Sequence, residues 1–266
     1  MNIQPQLKMQ DFPAIALNSF VTVDGEAPEQ LVWKADGAAF TAATPSGSWK
    51  LALAEKNGRI DAAVTGTLKK KADVLDFTLF QLPAFHADHV LPQNIKMGGC
   101  QAHDLKNMKA PAAFAGQIMT SVTKDGVTMQ ISTPFHAGFP VLAQGTAEQG
   151  QIRDFRLVMQ AHYYGATELV FPVVSFRTSR NGFELMESYA DENCDVKKEF
   201  ATPSAGWNSW DYYRWTITEE EVLKNAEFIA KVPVLSNHGK RIIVDDGWQT
   251  DDNKRGYAFC GDWEIS

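Results

Sequence analysis

The chain has 266 residues, of which 44% are hydrophobic, and its formal net charge is -7 at pH 7. This length and hydrophobic content exclude a disordered or fibrous protein, and they allow one large domain or two medium ones, each with its own core. The negative charge argues against a nucleic-acid partner and against an anionic membrane surface, because no basic patch dominates the sequence.

The cysteines and the apolar runs bear on the cellular compartment. The three cysteines, Cys100, Cys194 and Cys260, are an odd and widely spaced set without a Cys-x-x-Cys pair. This pattern argues against a disulfide framework and against a cysteine zinc site. No apolar run approaches the ~20 residues of a membrane span, and the first residues lack the pattern of a secretory signal. We therefore expect a cytoplasmic protein without membrane contact.

Residues 18–180 alternate between apolar and polar positions rather than following a helical period. Trp49, Leu51 and Leu53 occupy every second position, as do Leu75, Phe77 and Leu79. Such alternation is typical of strands that lay one face on a core. Further strand-like runs cover residues 30–35, 151–162 and 168–177. Many short strands without intervening helices predict an antiparallel β-sandwich.

One hairpin is predicted with particular clarity. Alternating runs lie on both sides of Asp125-Gly126. An Asp-Gly pair favours a two-residue turn, because both turn positions require positive φ. We therefore expect the flanking runs to pair as neighbouring antiparallel strands.

A short helix is predicted to follow the strands. From Gly182 onward, apolar residues recur at intervals of three and four, which indicates a helix over residues 182–191 with one buried side. That side is predicted to contain Phe183, Met186, Tyr189 and Ala190. The charged stretch that follows, with Pro203 near its end, is interpreted as a linker. We place a domain boundary near residue 200, which gives a sandwich domain over residues 1–200 and a second domain over residues 201–266.

The second domain is predicted to begin with one βαβ unit. A strand over residues 205–210 precedes Thr218 and Glu221, which match a helix capping box. The β-branched run at residues 242–244 predicts a parallel strand covered on both faces. The buried stripe of the helix is predicted to contain Val222, Ala226, Ile229 and Ala230.

Three blocks in this region carry a family resemblance. They are GWNSWD at residues 206–211, RIIVDDGWQ at residues 241–249 and GDW at residues 261–263. In this order and spacing they resemble the opening of the catalytic barrel of α-galactosidases, glycoside hydrolase clan D, closest to family 36 and its raffinose-synthase-like relatives. The resemblance implies that the sandwich is followed by the start of a TIM (β/α)8 barrel, namely its first two strands and first helix.

The resemblance also implies an activity. Family members hydrolyse terminal α-galactosides by a retaining mechanism without a metal or an organic cofactor, so the expected partner is a galactose-containing oligosaccharide. The resemblance leaves open whether the full-length protein forms a homo-oligomer. Because the family's catalytic aspartates lie on the fourth and sixth barrel strands, beyond Ser266, we assign no catalytic residue in this sequence. An incomplete barrel leaves apolar surface unburied, so we expect residues 1–200 to fold independently and the remainder to be marginally stable.

The predicted sugar-binding residues are Trp210, Asp245, Asp246 and Trp263. Active sites of β/α barrels lie at the carboxyl ends of the strands, where Trp210 and the two aspartates fall. By the resemblance, the aspartates hold the 4- and 6-hydroxyls of galactose, and the two indoles flank the sugar. Asp245 and Asp246 can serve one ligand only if the strand ends between them. For each residue alone, an ordinary turn or packing role is the alternative, and for Trp207 we favour packing.

Two other functions stay open at this point. One is a galactosyl transferase of the raffinose-synthase kind, and the other is a non-catalytic carbohydrate-binding or structural polypeptide. A separate cluster has residue types that ligate zinc. Its segment is loop-like, so we favour surface histidines and predict no metal site. The cluster contains His86, Asp88, His89, Cys100, His103 and Asp104.

Overall fold

The structure is a computed structural model that describes residues 2–93, 102–135, 137–193, 206–233 and 241–248. The chain divides into two compact units, Met1–Asp195 and Val196–Ser266. Each unit is described by itself below.

The described residues form short strands, two α-helices and two single-turn 3-10 helices, at Leu105–Asn107 and Arg214–Thr216. The helices are α1 (Gly182–Asn193) and α2 (Glu219–Lys231). The strands are β1 (Gln6–Leu7), β2 (Ile15–Ala16), β3 (Phe20–Val23), β4 (Glu29–Gln30), β5 (Lys34–Asp36), β6 (Ala39–Ala43), β7 (Gly47–Lys56), β8 (Arg59–Leu68), β9 (Val74–Leu82), β10 (Phe85–His86), β11 (His89–Gln93), β12 (His103–Asp104), β13 (Ala112–Gly116), β14 (Met119–Lys124), β15 (Val127–Ser132), β16 (Val141–Glu148), β17 (Gln151–His162), β18 (Glu168–Val170), β19 (Val174–Ser179), β20 (Gly206–Asn208) and β21 (Arg241–Ile243).

The first unit consists mainly of two antiparallel sheets. One sheet has the order β13-β16-β17-β9-β3-β4, with β10 pairing with β17. The other has the order β12-β11-β14-β15-β19-β8-β7-β6-β5, with β18 pairing with β8. Together β1 and β2 form a separate pair. The prediction of an antiparallel β architecture for this part of the chain is confirmed.

Aromatic side chains from the two sheets meet in one core. Phe77 of β9 contacts Trp49 of β7, with ring centroids 5.3 Å apart. Phe80, also on β9, lies 6.4 Å from Phe176 of β19. All four side chains are almost fully buried, and burial of each such side chain stabilises the fold by about 1.5–3 kcal/mol. Two sheets that share a core through their facing sides are compatible with a β-sandwich.

The Asp125-Gly126 hairpin is confirmed. Lys124 of β14 pairs with Val127 of β15, so the loop contains two residues. Their φ values are 51° and 74°, as a type I′ turn requires.

Two of the predicted continuous strands are wrong because the chain breaks them. Residues 30–35 divide between β4 and β5, which belong to different sheets, so the chain crosses the core here and buries Trp33. Residues 168–177 divide between β18 and β19, which both pair with β8. The interruption contains Pro172, which has no N–H to donate to a strand ladder.

The helix predicted over residues 182–191 is confirmed as α1, but its predicted buried side is wrong. Phe183 and Met186 are 77% and 45% exposed, while Leu185 is buried. The hydroxyl of Tyr189 donates to the carbonyl of Thr133 at 3.0 Å. Leu185 and Tyr189 are four residues apart and therefore share one face. One turn further along, Glu192 pairs with arginines of β8 and β19, which places this face toward the sheet.

The described part of the second unit contains a strand, a helix and a second strand. β20 and β21 are parallel, with Trp207 opposite Ile242. β20 is shorter than the predicted strand because a turn begins at Ser209. Helix α2 begins as predicted, with the Thr218 hydroxyl accepting from the amide of Glu221 at 3.3 Å.

Burial in the second unit is lower than predicted. Of the predicted helix stripe, Ile229 is buried and Val222 and Ala226 are half-buried, whereas Ala230 is exposed. The prediction that residues 242–244 are covered on both faces is wrong, since Ile242 and Ile243 are exposed and Val244 is half-buried. The reason is that, within the described residues, β21 has β20 as its one sheet neighbour. No helix in the described part of the chain is long and apolar enough to cross a membrane.

Candidate functional site

The candidate site lies where β20 and β21 end. Because the strands are parallel, their carboxyl ends meet at one edge. The amide of Ser209 donates to the carbonyl of Ile243 at 3.1 Å, which extends the pairing by one bond. Asp245 and Asp246 follow β21 outside the regular strand. The strand was predicted to end between the two aspartates, whereas it ends at Ile243, before both of them. Neither aspartate is therefore bound to the alternation of a regular strand.

Asn208 connects the two chain segments through both ends of its side chain. Its Oδ1 accepts from the amide of Trp210 at 2.7 Å. Its Nδ2 donates to Oδ2 of Asp245 at 3.3 Å. A side chain that offers both a donor and an acceptor can make this pair of bonds, whereas a carboxylate can only accept. Asn208 thus fixes the turn at Trp210 and holds the Asp245 carboxylate.

Ser209 holds the backbone of the same aspartate. Its side chain is fully buried, and its Oγ accepts from the amide of Asp245 at 2.9 Å. Asp245 Oδ1 in turn accepts from the amide of Asp246, also at 2.9 Å. A buried amide needs such a partner, because an unpaired buried N–H is costly.

Gly247 turns the chain away directly after the aspartates. Its φ is 96°, which L-residues with side chains rarely adopt. A Cβ at this position would lie 2.4 Å from the Cα of Trp215. Both the backbone conformation and the close approach therefore require glycine here.

Aromatic side chains surround this strand end. The half-buried indole of Trp210 packs against Trp215, with centroids 5.4 Å apart and planes at 56°. Trp207 contacts Tyr213 in an edge-to-face arrangement at 6.1 Å. Trp207 thus has an aromatic packing partner, and the expectation that it packs rather than binds stays a prediction.

The turn between β20 and α2 is tied to the helix by Tyr213. Its hydroxyl donates to Oε2 of Glu221 at 2.9 Å and accepts from Nδ2 of Asn225 at 3.3 Å. The helix therefore positions the turn that carries the tryptophans. This connection uses the Glu221 carboxylate, which accounts for its position at the start of the helix.

The structure brings three of the four predicted sugar-binding residues to this edge. Trp210, Asp245 and Asp246 are half-buried there, and Trp263 lies outside the described residues. Sequence reasoning missed the linking roles of Asn208 and Ser209. Their signal was their place inside the GWNSWD block, between the two tryptophans. Chemically, the edge offers carboxylate oxygens that accept from hydroxyl groups and an indole surface that can contact the apolar face of a sugar ring.

The histidine cluster of the first unit is arranged differently from its sequence order. His86, Asp88 and Asp125 offer ligand atoms within 4.8 Å of one another. The cluster predicted from the sequence did not include Asp125, because its position near Asp88 results from the β14–β15 hairpin. The Asp88 carboxylate already accepts from the Lys106 ammonium at 2.9 Å and from the Asp125 amide at 2.8 Å. The hydrogen bond from Lys106 is the main cause that lowers the pKa of Asp88.

The other members of that cluster separate. His89 is exposed and lies 3.7 Å from Asp104, whereas His103 is buried against Phe114. His86 and His89 thus fit the prediction of surface histidines, and His103 does not. Cys100 lies outside the described residues.

Comparison with known proteins adds no assignment. No protein-family model matches the chain, and no curated protein matches it at a significant level.

Proposed function

We propose that this chain forms the N-terminal part of a glycoside hydrolase that acts on terminal α-galactosides by a retaining mechanism. The observation that carries the proposal is the Asp245-Asp246 pair at the carboxyl end of a parallel strand pair, with Trp210 linked to Asp245 through the side chain of Asn208. This is where a β/α barrel collects its ligand-binding groups. It is also where the resemblance to clan D α-galactosidases requires the galactose subsite.

In this proposal the second unit is the start of a TIM (β/α)8 barrel. The order of parallel strand, helix and parallel strand supports it, because this is the repeating unit of such barrels. The exposure of Leu223, Phe228 and Ile243 supports it as well. Apolar residues on the surface of a βαβ unit are those that neighbouring strands and helices cover in a closed barrel.

The aspartates recognise the sugar through its hydroxyl groups. Asp245 and Asp246 accept from the galactose 4- and 6-hydroxyls, and Trp210 contacts the apolar face of the ring. The 4-hydroxyl is axial in galactose and equatorial in glucose. A carboxylate positioned for the axial group is left without its partner when glucose binds, and this selects galactose. Asn208 and Ser209 hold the Asp245 side chain and amide in place for this contact.

The bond-breaking step requires two further carboxyl groups. A retaining glycosidase uses one as nucleophile and one as general acid/base, about 5 Å apart. By the family resemblance neither of them is Asp245 or Asp246, which bind the sugar of both the substrate and the glycosyl-enzyme intermediate. A galactosyl transferase of the raffinose-synthase kind would use the same subsite, and product analysis with and without added sucrose separates the two reactions.

Titration calorimetry of the full chain tests the sugar site. We expect saturable heat with galactose and none with glucose. Asp245→Asn and Asp246→Asn should each weaken galactose binding by about tenfold or more, because each removes a charged hydrogen-bond acceptor. Glu227→Gln, at an exposed position of α2, is the matched control and should leave binding unchanged. Equal binding of both sugars, or no change in either aspartate variant, would contradict the proposal.

A further inference from the structure

A cavity of about 530 Å³ opens in the first unit between the β7–β8 hairpin turn and the end of α1. It lies in a different unit from the proposed sugar site and is independent of that function. Its lining consists of charged and polar side chains. They are Lys56, Asn57, Arg59, Arg177, Ser188 and Glu192.

Two guanidinium groups converge on a single carboxylate oxygen in this cavity. Arg59 Nη1 donates to Glu192 Oε2 at 2.6 Å. Arg177 Nη2 donates to the same oxygen. Arg59 Nη2 donates separately to Asp61 Oδ2 at 2.8 Å. One carboxylate oxygen thus accepts from two guanidinium groups, each of which could bind an entire anion.

The guanidinium groups have more buried donors than the surrounding acceptors satisfy. Nε of Arg59 and Nη1 of Arg177 are both buried without a hydrogen-bond partner. Arg177 as a whole is more than nine-tenths buried. Buried unpaired donors are uncommon in folded proteins, because desolvation without a replacement bond is costly. Each of the two arginines thus has one buried donor that the surrounding described groups do not satisfy.

Around the cavity, cationic side chains outnumber the carboxylates in contact with them. Lys56, Arg59 and Arg177 are cationic, whereas Glu192 and Asp61 are the carboxylates in contact with them. A tetrahedral oxyanion presents several acceptor oxygens at once, and arginine forks bind such groups through two parallel bonds. A single carboxylate oxygen from a helix end cannot fill that role.

We propose that this cavity binds a phosphate-class oxyanion, either free or carried on a small organic molecule. Arg59 and Arg177 anchor the anion, and the exposed Lys56 contributes a point charge. The anion takes the place of the Glu192 carboxylate in front of the two arginines and accepts from Nη1 of Arg59 and Nη2 of Arg177, which now donate to Glu192. Glu192 is therefore a competitor built into the end of α1, and its removal should strengthen binding.

Calorimetric titration of the full chain with inorganic phosphate at constant ionic strength tests this site. We expect saturable binding at one site. Lys56→Met should weaken it by about fivefold, the effect of one exposed charge. Lys50→Met is the matched control, because Lys50 is also exposed on β7 but does not line the cavity. Glu192→Gln should tighten phosphate binding by about tenfold.

If the wild-type protein binds phosphate too weakly to be measured, the Glu192→Gln variant still tests the proposal. No saturable heat with this variant at tens of millimolar phosphate would overturn the proposal. Equal weakening by Lys56→Met and Lys50→Met would overturn it too, because it would indicate unspecific attraction. Titration with glucose 6-phosphate distinguishes a site for the free anion from a site for an anion carried on an organic molecule. Tighter binding than inorganic phosphate supports an anion carried on an organic molecule, and equal binding supports the free anion.

Discussion

The two units of this chain differ in what holds them together. In the first unit, the two sheets enclose one continuous apolar cluster whose members all belong to that unit. In the described part of the second unit, the buried apolar residues are Ile217 and Ile229. The first unit is thus stabilised mainly by apolar burial, whereas the edge that carries Asp245 and Asp246 is organised by hydrogen bonds.

This difference explains how the candidate site can form at the end of the short β20–β21 strand pair. Ser209 and Asn208 fix the Asp245 amide and carboxylate without help from a large core. Each such bond contributes about 0.5–1.5 kcal/mol. A few bonds of this size order a strand end, but they do not give a unit the stability that a shared core provides. We therefore expect substitutions in the two units to have separate consequences.

The largest expected effect comes from the first-unit core. Phe77→Ala should destabilise the first unit by about 3–5 kcal/mol, because it leaves a cavity between the sheets. Phe77 is fully buried against Trp49 and Phe171. Chemical denaturation followed by near-ultraviolet circular dichroism measures the loss. Phe228→Ala, at an exposed position of α2, is the control with an expected change within about 0.5 kcal/mol. A small effect of Phe77→Ala would disprove the shared core.

The second prediction concerns the polar edge. Ser209→Ala removes the acceptor for the Asp245 amide and should cost about 2 kcal/mol locally. Hydrogen exchange should show faster exchange at Asp245, with the first-unit strands unchanged. Thr216→Ala is a comparison in the same region, since the Thr216 hydroxyl bonds to the carbonyl of Tyr213 and not to the aspartates. Unaltered exchange at Asp245 in the Ser209 variant would mean that the hydrogen bond does not order the site.

A smaller effect is expected at the β14–β15 hairpin. Gly126→Ala should destabilise the first unit by about 1 kcal/mol, because alanine is strained at a φ of 74°. Gly138 provides the matched control, since it has ordinary φ and no atoms near an added Cβ. Gly138→Ala should therefore be close to neutral in thermal unfolding. If the two variants unfold at the same temperature, the type I′ turn is not the native one.

The smallest effect depends on pH. The Lys106 ammonium and the Asp125 amide hold the pKa of Asp88 below its usual range. Asp88 therefore contributes stability above its unfolded pKa of about 3.9, and this contribution is lost as the pH falls through the lower folded pKa. Asp88→Asn should be less stable than wild type at pH 7, and the difference should shrink below about pH 4.

The sequence predicted those features that depend on neighbouring residues. The alternation of apolar and polar residues predicted β9, and the Asp-Gly pair predicted the β14–β15 hairpin. Thr218 predicted where α2 begins. Each of these follows from local backbone or hydrogen-bond preferences.

Features set by distant residues were not predictable in this way. At α1, Glu192 pairs with Arg59, which is 133 residues away in the sequence. Near the chain crossing, the indole of Trp33 donates a hydrogen bond to the side chain of Ser19 inside the core. At the candidate site, the aspartates and Trp210 were identified from the resemblance. The link through Asn208 required knowledge of the parallel pairing that brings residues 37 apart together.

Limited proteolysis of the full chain with galactose or glucose, followed by mass spectrometry, tests the central claim most directly. We expect the first cleavages to fall within residues 196–266, because the described part of this unit has little buried apolar surface. Galactose should slow these cleavages, and glucose should not. Equal cleavage of both units, or equal protection by both sugars, would contradict the claim that a marginally stable second unit carries a galactose-selective site.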